Sequence, residues 1–304
     1  MKKNQNDKHH GEVLETDNGF DVIDCKICGF KHILPIPTED ELEKAYQHEY
    51  YTDEKPLFLE RHKEDLEWWN VIYSERYELF EKYLPDNRRK ILDIGSGPGF
   101  FLLNGQERGW KVKGIEPSEK AAEHSQKLGV DVDNDFYSKD TTDALGKFDA
   151  INMSEVLEHI PYPEELLTLA HKQLDNNGMI CIAVPNDFNP IQTILREHHD
   201  FKPWWVAPPH HINYFDFDSL SILLKRCGFD VIHKEATFPI DMFLLMGDNY
   251  IGNDELGRSC HSKRKTLELN LSNAGMTGLK RKLYQKLAEL NLGREVVIFA
   301  RKMS

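Results

Sequence analysis

The spacing of apolar positions changes period near Lys90. Before that point, over residues 57–84, apolar residues recur at helical intervals, with Trp68, Trp69, Ile72, Tyr73 and Tyr77 among them. Pro85 ends the run, so the pattern predicts one long helix. After it, short β-branched runs alternate with helical stretches. Strands are predicted at 91–94, 111–116, 130–132, 148–153, 179–184 and from 229 to 233. Helices are predicted at 100–108, 118–128, 163–174 and 218–227, the last ended by Gly228 as a C-cap. Such alternation predicts an α/β fold, with a parallel sheet covered on both faces. A last β-run, Val296-Val297-Ile298-Phe299-Ala300, lies within 295–301.

No internal repeat is visible, and three regions follow from the pattern. Residues 1–56 are polar and carry a C-x-x-C and the turn-rich Leu34-Pro35-Ile36-Pro37. Thr38 with Glu41 three residues on is a capping-box pattern that starts a short helix. Residues 57–88 form a linking helix, and 89–304 the main domain. A helical insertion at about 239–293, rich in charge from 258 to 290, precedes the last strand.

Composition narrows the class. The 304 residues are 40% hydrophobic and 29% charged, as in a globular protein with a sizeable core. A net charge of -13 disfavours a general nucleic-acid binder, which needs a basic face. The first ten residues lack the apolar stretch of a secretory signal, and no apolar run approaches the ~18 residues of a membrane span. Five cysteines, an odd number, do not read as a disulfide framework. A reducing, cytoplasmic setting is therefore expected, with Cys181 and Cys227 in the core.

The chemistry concentrates in Leu92-Asp93-Ile94-Gly95-Ser96-Gly97-Pro98-Gly99-Phe100, a strand feeding a glycine loop and then a helix. Glycines admit close approach to the backbone, and the helix start offers free N–H groups. A dinucleotide fingerprint needs glycine where Phe100 stands, and the Gly-Lys-Ser/Thr of a P-loop is absent. Asp93 would repel a pyrophosphate but suits an ammonium group. Glu116, at the end of the second strand, can accept from both ribose hydroxyls. The alternative is a glycine-rich turn in an unrelated α/β protein. Loop and acid resemble those of the class I S-adenosylmethionine-dependent methyltransferases, over roughly residues 87–233 plus the last strand. The resemblance implies a Rossmann-like doubly wound sheet whose final strand is antiparallel, and S-adenosylmethionine as cofactor. Around it would lie Asp93, Gly95, Ser96, Gly97, Gly99, Phe100, Glu116 and Pro117. Asn134 or Asp135 would approach the adenine amino group, or be plain loop residues. Residues 153–160 resemble the family's V-L-E-H segment, so Ser154 and Glu155 would line the methionine side.

Methyl transfer from a sulfonium is an in-line displacement, and a hydroxyl acceptor needs its proton removed. Two segments offer a base. The spacing of Glu155, Glu158 and His159 matches ubiquinone-pathway O-methyltransferases, where this set is linked to a divalent metal; a salt-bridged helix start is the alternative. The loop 202–215 carries His210 and His211 before an aromatic pair. His211 is the first candidate for base, His210 and His159 the next, against a capping or solvated histidine. Trp204 and Trp205 either stack on a substrate or belong to the core.

Cys25-Lys26-Ile27-Cys28 looks like one knuckle of a zinc site, completed by His10 and His32, with His9 as the other candidate. The segment resembles the N-terminal zinc-binding part of some sugar-modifying methyltransferases, with Pro35-Ile36-Pro37 and Tyr50-Tyr51 in place and a first cysteine pair missing. Two reduced thiols in a β-hairpin are the alternative. The basic cluster of Arg258, Lys263, Arg264, Lys265, Lys280, Arg281, Lys282 and Lys286 either holds an anionic substrate or forms a solvated helix face. Together these readings imply methylation of a small polar acceptor, an anionic one if the basic cluster binds it, with no membrane or nucleic-acid partner. The acceptor expected first is an oxygen of a saccharide, nucleotide-linked sugar or phosphate-bearing glycan precursor. C- or N-methylation and a non-catalytic cofactor-binding scaffold are the alternatives.

Overall fold

The computed structural model describes residues 8–38 and 58–303. The helix expected after Thr38 and the pair Tyr50-Tyr51 lie outside the described residues. The chain begins with β1 (Gly11–Asp17), β2 (Phe20–Cys25) and β3 (Phe30–Leu34), then α1 (Phe58–Glu64) and α2 (Leu66–Tyr83). Next come β4 (Lys90–Ile94), α3 (Phe100–Glu107), β5 (Lys111–Ile115), α4 (Glu119–Lys127), β6 (Val132–Asp133) and α5 (Lys139–Leu145). They are followed by β7 (Phe148–Ser154), a 3₁₀ turn at Leu157–His159, α6 (Pro163–Gln173), β8 (Leu174–Pro185) and α7 (Pro190–His198). The chain ends with β9 (Asn213–Tyr214), α8 (Phe217–Arg226), β10 (Phe229–Ala236), α9 (Met242–Leu245), α10 (Asp254–Asn273), α11 (Thr277–Glu289) and β11 (Glu295–Lys302).

The large sheet has the order β10-β11-β8-β7-β4-β5-β6. Strands β6, β5, β4, β7 and β8 pair in parallel, and β11 is antiparallel to both of its neighbours, as the sequence led us to expect. The alternation of side chains across a strand divides the core. Leu92, Ile94, Ile151, Met153, Ile180 and Ile298 meet Leu167 of α6 and Leu220 and Leu223 of α8 on one face. Ile91, Ala150, Cys181 and Phe299 meet Tyr77, Phe80 and Phe101 on the other. Chain order reverses between β4 and β7, so their carboxyl ends diverge into a crevice, the usual place for a ligand in such a sheet.

The helix expected over 57–84 is divided at Asp65. The Asp65 carboxylate is held by Lys265 and, at 3.0 Å, by His261, both on α10. Two helices that apolar spacing did not reveal, α5 and α7, start on side-chain caps. Ser138 and Thr141 form a capping box, and Asn189 accepts from the N–H groups of Ile191 and Gln192. No helix among the described residues is long and apolar enough to cross a membrane.

A second, small sheet has the order β1-β2-β3-β9. Its fourth strand comes from far along the chain, with Lys31 opposite Tyr214 and His32 opposite Asn213. Val22, Ile33, Ile212 and Tyr214 form its own apolar cluster, and Phe30 packs into the core of the large sheet.

Residues 239–293 contribute α9, α10 and α11. Most of the basic cluster is spent on ion pairs there: Arg258 with Glu64, Lys263 with Asp248, Lys265 with Asp65, Lys280 with Glu75, and Arg281 with Glu78 and Glu235. Glu268 of α10 is fully buried and accepts from the Trp68 indole of α2 and the Tyr284 hydroxyl of α11, with Arg264 at 3.7 Å. A charge buried at a helix junction is tolerated only while its donors are present. Glu268→Ala strands Arg264, Trp68 and Tyr284 together, and we expect it to lower unfolding free energy by about 3–5 kcal/mol in denaturant titrations.

Candidate functional site

The glycine loop leaves β4 at Gly95 and is hooked onto β5, because the N–H groups of Gly95 and Ser96 both donate to the Ile115 carbonyl at 2.9 and 3.1 Å. Gly95, Gly97 and Gly99 have φ of 70°, 52° and 85°. A side chain is strained there. A Cβ at Gly95 would also lie 2.5 Å from a Val156 methyl, so the loop abuts the segment after β7. Glu116, 4% exposed, clamps the loop from β5: Gly97 N–H donates to one carboxylate oxygen at 2.7 Å and Ser118 N–H to the other at 2.9 Å. Each oxygen keeps a lone pair for a ribose hydroxyl. Burial raises the Glu116 pKa to about 7, against the pull of these two N–H groups.

Asp93 lies beneath the loop, 3% exposed. Its carboxylate accepts from the Asn152 amide at 2.7 Å across the β4–β7 register. Burial raises Asp93 to about 7; Asn152 and Arg76 pull it back, while Glu116 adds to the rise. Arg76 reaches in from α2 and donates to Asn152 and Ser154 at 3.4 and 3.3 Å. Neither Asn152 nor Arg76 was singled out from sequence. The signals were there: an asparagine inside an apolar strand, and an arginine on the buried stripe of Tyr73, Tyr77 and Phe80.

The remaining cofactor candidates fall around this crevice. Ser96 is buried, and its hydroxyl has no hydrogen-bond partner among the described residues, as fits a group awaiting a ligand. Phe100 stacks on His62 of α1 at 4.7 Å between ring centres, and Trp69 covers the other face of His62 at 4.9 Å. Asn134 spends its N–H groups on the carbonyls of Glu116 and Pro117, which leaves its oxygen to accept from an amino group. Asp135 is exposed and caps the N–H of Phe136. Glu155 has φ of 55° and turns the chain out of β7.

Beyond Val156 the 3₁₀ turn brings Glu158 and His159 under the histidine loop. The Nδ1 of His159 meets the His210 carbonyl at 2.7 Å. That contact puts its proton on Nδ1 and makes Nε2 the basic nitrogen. The His159 and His211 rings are 5.1 Å apart, and His211 Nδ1 lies 3.9 Å from the buried Asp187 carboxylate. Asp187 is anchored by Arg294 at 3.0 Å and Gln192 at 3.3 Å. Glu158 is fully buried; burial first, then the Glu155 carboxylate, pushes its pKa well up. Glu158, His159 and His211 present ligand atoms within 4.8 Å of one another and could hold a cation. His210 lends its backbone to this cluster. Trp205 is buried against Phe188, and Trp204 joins the apolar contacts of α7 and α9.

A second group of possible ligands sits in the small sheet: His9, Cys25, Cys28 and His32, again within 4.8 Å. The sequence had pointed to His10. That residue is exposed, and its carbonyl pairs with Lys26 N–H, so His9 takes the place. Residues alternate sides along an extended chain. Gly11 is opposite Cys25, which puts His9 on the cysteine side and His10 on the other. Three features fit a zinc ion. His9 Nδ1 is 3.6 and 3.3 Å from the two sulfurs, and bonds of about 2.3 and 2.05 Å at a tetrahedral angle put S and N roughly 3.6 Å apart. Cys28 N–H points at the Cys25 sulfur at 3.5 Å, with Gly29 at φ 75° closing the turn. His32 donates Nδ1–H to the Ile33 carbonyl at 3.0 Å, and its buried Nε2 has no partner among the described residues.

Sheet order, glycine loop and acidic strand end define a class I S-adenosylmethionine-dependent methyltransferase fold. Residues 60–234, more than half of the chain, match the family described as a methyltransferase domain, and the protein belongs to that family. Ubiquinone biosynthesis O-methyltransferases of Pseudomonas aeruginosa and Dechloromonas aromatica are 29% and 32% identical over 136 and 137 residues. These alignments cover 38% and 39% of this chain and 57% and 58% of those proteins, so the chain spans little more than half the length of these curated relatives. Among solved structures, a SAM dependent methyltransferase from Archaeoglobus fulgidus is 18% identical, with a TM-score of 0.50 over 77% of this chain and 94% of that one. The plantazolicin methyltransferase BpumL, in complex with SAH, is 15% identical, with a TM-score of 0.50 over 86% and 94%. These structures share the fold.

The cofactor edge gives two expected outcomes. Glu116→Ala removes both carboxylate oxygens available to ribose hydroxyls and should weaken S-adenosylhomocysteine binding in calorimetry by about 2–3 kcal/mol, roughly 30- to 150-fold. Glu116 and Asp93 stand near 7 without ligand. Hydroxyl donors and an ammonium favour the carboxylates, so binding lowers both values and releases protons. Affinity should therefore rise as pH goes from about 6 to about 8, with proton release visible as a dependence of binding heat on buffer.

Proposed function

We propose that this protein transfers the methyl group of S-adenosylmethionine to a hydroxyl oxygen of a small polar acceptor. The observation that carries the proposal is the cluster of His159, His211 and Asp187, next to the segment that abuts Gly95. When bound, the sulfonium supplies the activated methyl. The chain's own residues hold the cofactor through the glycine loop and Glu116, orient the acceptor against the histidine loop, and take up its proton. His211 is the base in this reading. Asp187 lies 3.9 Å from its Nδ1, and the His159 ring stands 5.1 Å from its own.

The oxygen acceptor is supported by the names of the curated relatives, which are O-methyltransferases. A saccharide, nucleotide-linked sugar or phosphate-bearing glycan precursor is the acceptor class we put first, on the likeness of the N-terminal segment to sugar-modifying enzymes. A second reading places a divalent cation on Glu158, His159 and His211, which would polarise the acceptor oxygen. A structural zinc on His9, Cys25, Cys28 and His32 completes the assignment. It fits a reducing setting such as the cytoplasm, where free thiols are available to the metal.

Release of S-adenosylhomocysteine across a panel of nucleotide sugars, phosphorylated sugars and catechols tests the acceptor class. Turnover on a sugar hydroxyl supports it, and turnover confined to catechols or amines sinks it. With an accepted substrate, His211→Ala should lower kcat by about 10²–10⁴-fold with S-adenosylhomocysteine binding kept. Full turnover in that variant would remove His211 as base. Loss of activity to a chelator, restored by magnesium or manganese, would favour the cation reading.

A further inference from the structure

We propose that the metal held by His9, Cys25, Cys28 and His32 sets the position of the histidine loop, acting through the pairing of β3 with β9. The inference rests on the zinc assignment above and goes beyond it. His32 is at once a ligand candidate and the register partner of Asn213, two residues from His211. One residue on, Ile33 N–H donates to the Ile212 carbonyl at 2.9 Å. Ile212 N–H in turn donates to the Glu158 carbonyl at 2.8 Å. The Asn213 amide donates to the carbonyls of Leu157 and Ile160 at 3.0 and 2.7 Å. His159 closes the circuit on the His210 carbonyl. The 3₁₀ turn and the histidine loop are thus fastened to each other and to β3.

The small sheet is poorly equipped to hold this position by itself. Its own apolar cluster has four buried side chains, Val22, Ile33, Ile212 and Tyr214, while Phe30 packs with Phe215 into the core of the large sheet. A core of that size does not order a sheet, and small domains of this kind depend on a metal or a disulfide. No disulfide joins the cysteines. On the other side of the knuckle, Arg226 of α8 donates to the Cys28 carbonyl at 2.7 Å, so the metal-binding turn is moored to the methyltransferase sheet while its strand steadies the loop. The four ligands come from the entry to β1, the β2–β3 turn and β3. Metal binding therefore orders all three strands, and β9 inherits that order.

The test is hydrogen exchange on the full chain, read by mass spectrometry, with metal bound, stripped by a chelator, and restored with zinc chloride. Metal content of about one zinc per chain, and a cobalt-substituted protein with thiolate charge-transfer and tetrahedral bands, establish the ligand set. On stripping, exchange at Ile33, Ile212 and the 157–160 turn should rise about tenfold or more and recover with zinc. Exchange in β4 and β5, and S-adenosylhomocysteine affinity, should stay within about twofold. In Asn213→Ala, zinc should be retained while the response of the 157–160 turn to stripping shrinks, the Ile212–Glu158 and His159–His210 bonds carrying what is left. Zinc present but exchange at Ile212 unchanged on removal overturns the coupling and leaves the zinc assignment standing. Neither zinc nor the cobalt spectrum overturns both. Exchange rising through β4 and β5 with loss of cofactor binding overturns the local coupling, because the metal would then hold the whole fold.

Discussion

Two buried carboxylates under a loop of glycines constrain everything at the cofactor edge. Asp93 and Glu116 are each almost wholly inaccessible to water, and a carboxylate taken from water without donors reverts to its acid. Glu116 finds its donors locally, in the backbone of the loop it clamps. Asp93 depends on Asn152, and Asn152 on the guanidinium of Arg76. That cation comes from α2, so α2 has to lie against the sheet at a fixed height. The helices before the last strand provide this. Glu268 joins α10 and α11 to Trp68 of α2, and Lys280 pairs with Glu75 one residue before Arg76. A segment remote in sequence from the glycine loop thus sets the electrostatics beneath it.

This dependence explains which parts of the site were legible in the sequence. The glycine loop and Glu116 could be read because their reasons are local: positive φ, a strand end, a helix start. The sheet could be read for the same kind of reason, since period-2 and period-3.6 patterns alternate along one stretch. Asn152 and Arg76 acquire meaning only when β7 is set beside β4 and α2 is laid across both. The division of the long helix at Asp65 follows from Lys265 and His261, two hundred residues away in sequence. The exchange of His10 for His9 turns on the register of β1 with β2, which no spacing of cysteines contains.

The basic cluster shows the converse. Its charges were plain in the sequence, but a run of lysines and arginines carries no mark of its partners. In the fold the acids that meet them are mostly on α1, α2 and the break between them: Glu64, Asp65, Glu75 and Glu78. An acidic helical pair and a basic helical pair attract across a shared face. The local excess that suggested an anionic ligand is largely neutralised within the chain.

The proposed acceptor side is built on a different principle from the cofactor side. Residues 155–160 leave the large sheet at the end of β7, where Glu155 N–H makes the last bond to β8, to the Ala183 carbonyl at 2.8 Å. One end is fixed by sterics, where Val156 fills the space denied to a side chain at Gly95. The other end is fixed by Asn213 and Ile212, which belong to the small sheet. A wall held at one end by the cofactor loop and at the other by an added sheet can change its acceptor face without disturbing the nucleotide pocket. Glu158 carries the tension in this arrangement: its backbone carbonyl serves the small sheet while its buried carboxyl faces His159 and Glu155. Any shift of β9 therefore moves a buried acid relative to two histidines. That makes the small sheet part of the geometry of the proposed reaction centre rather than an appendage to it.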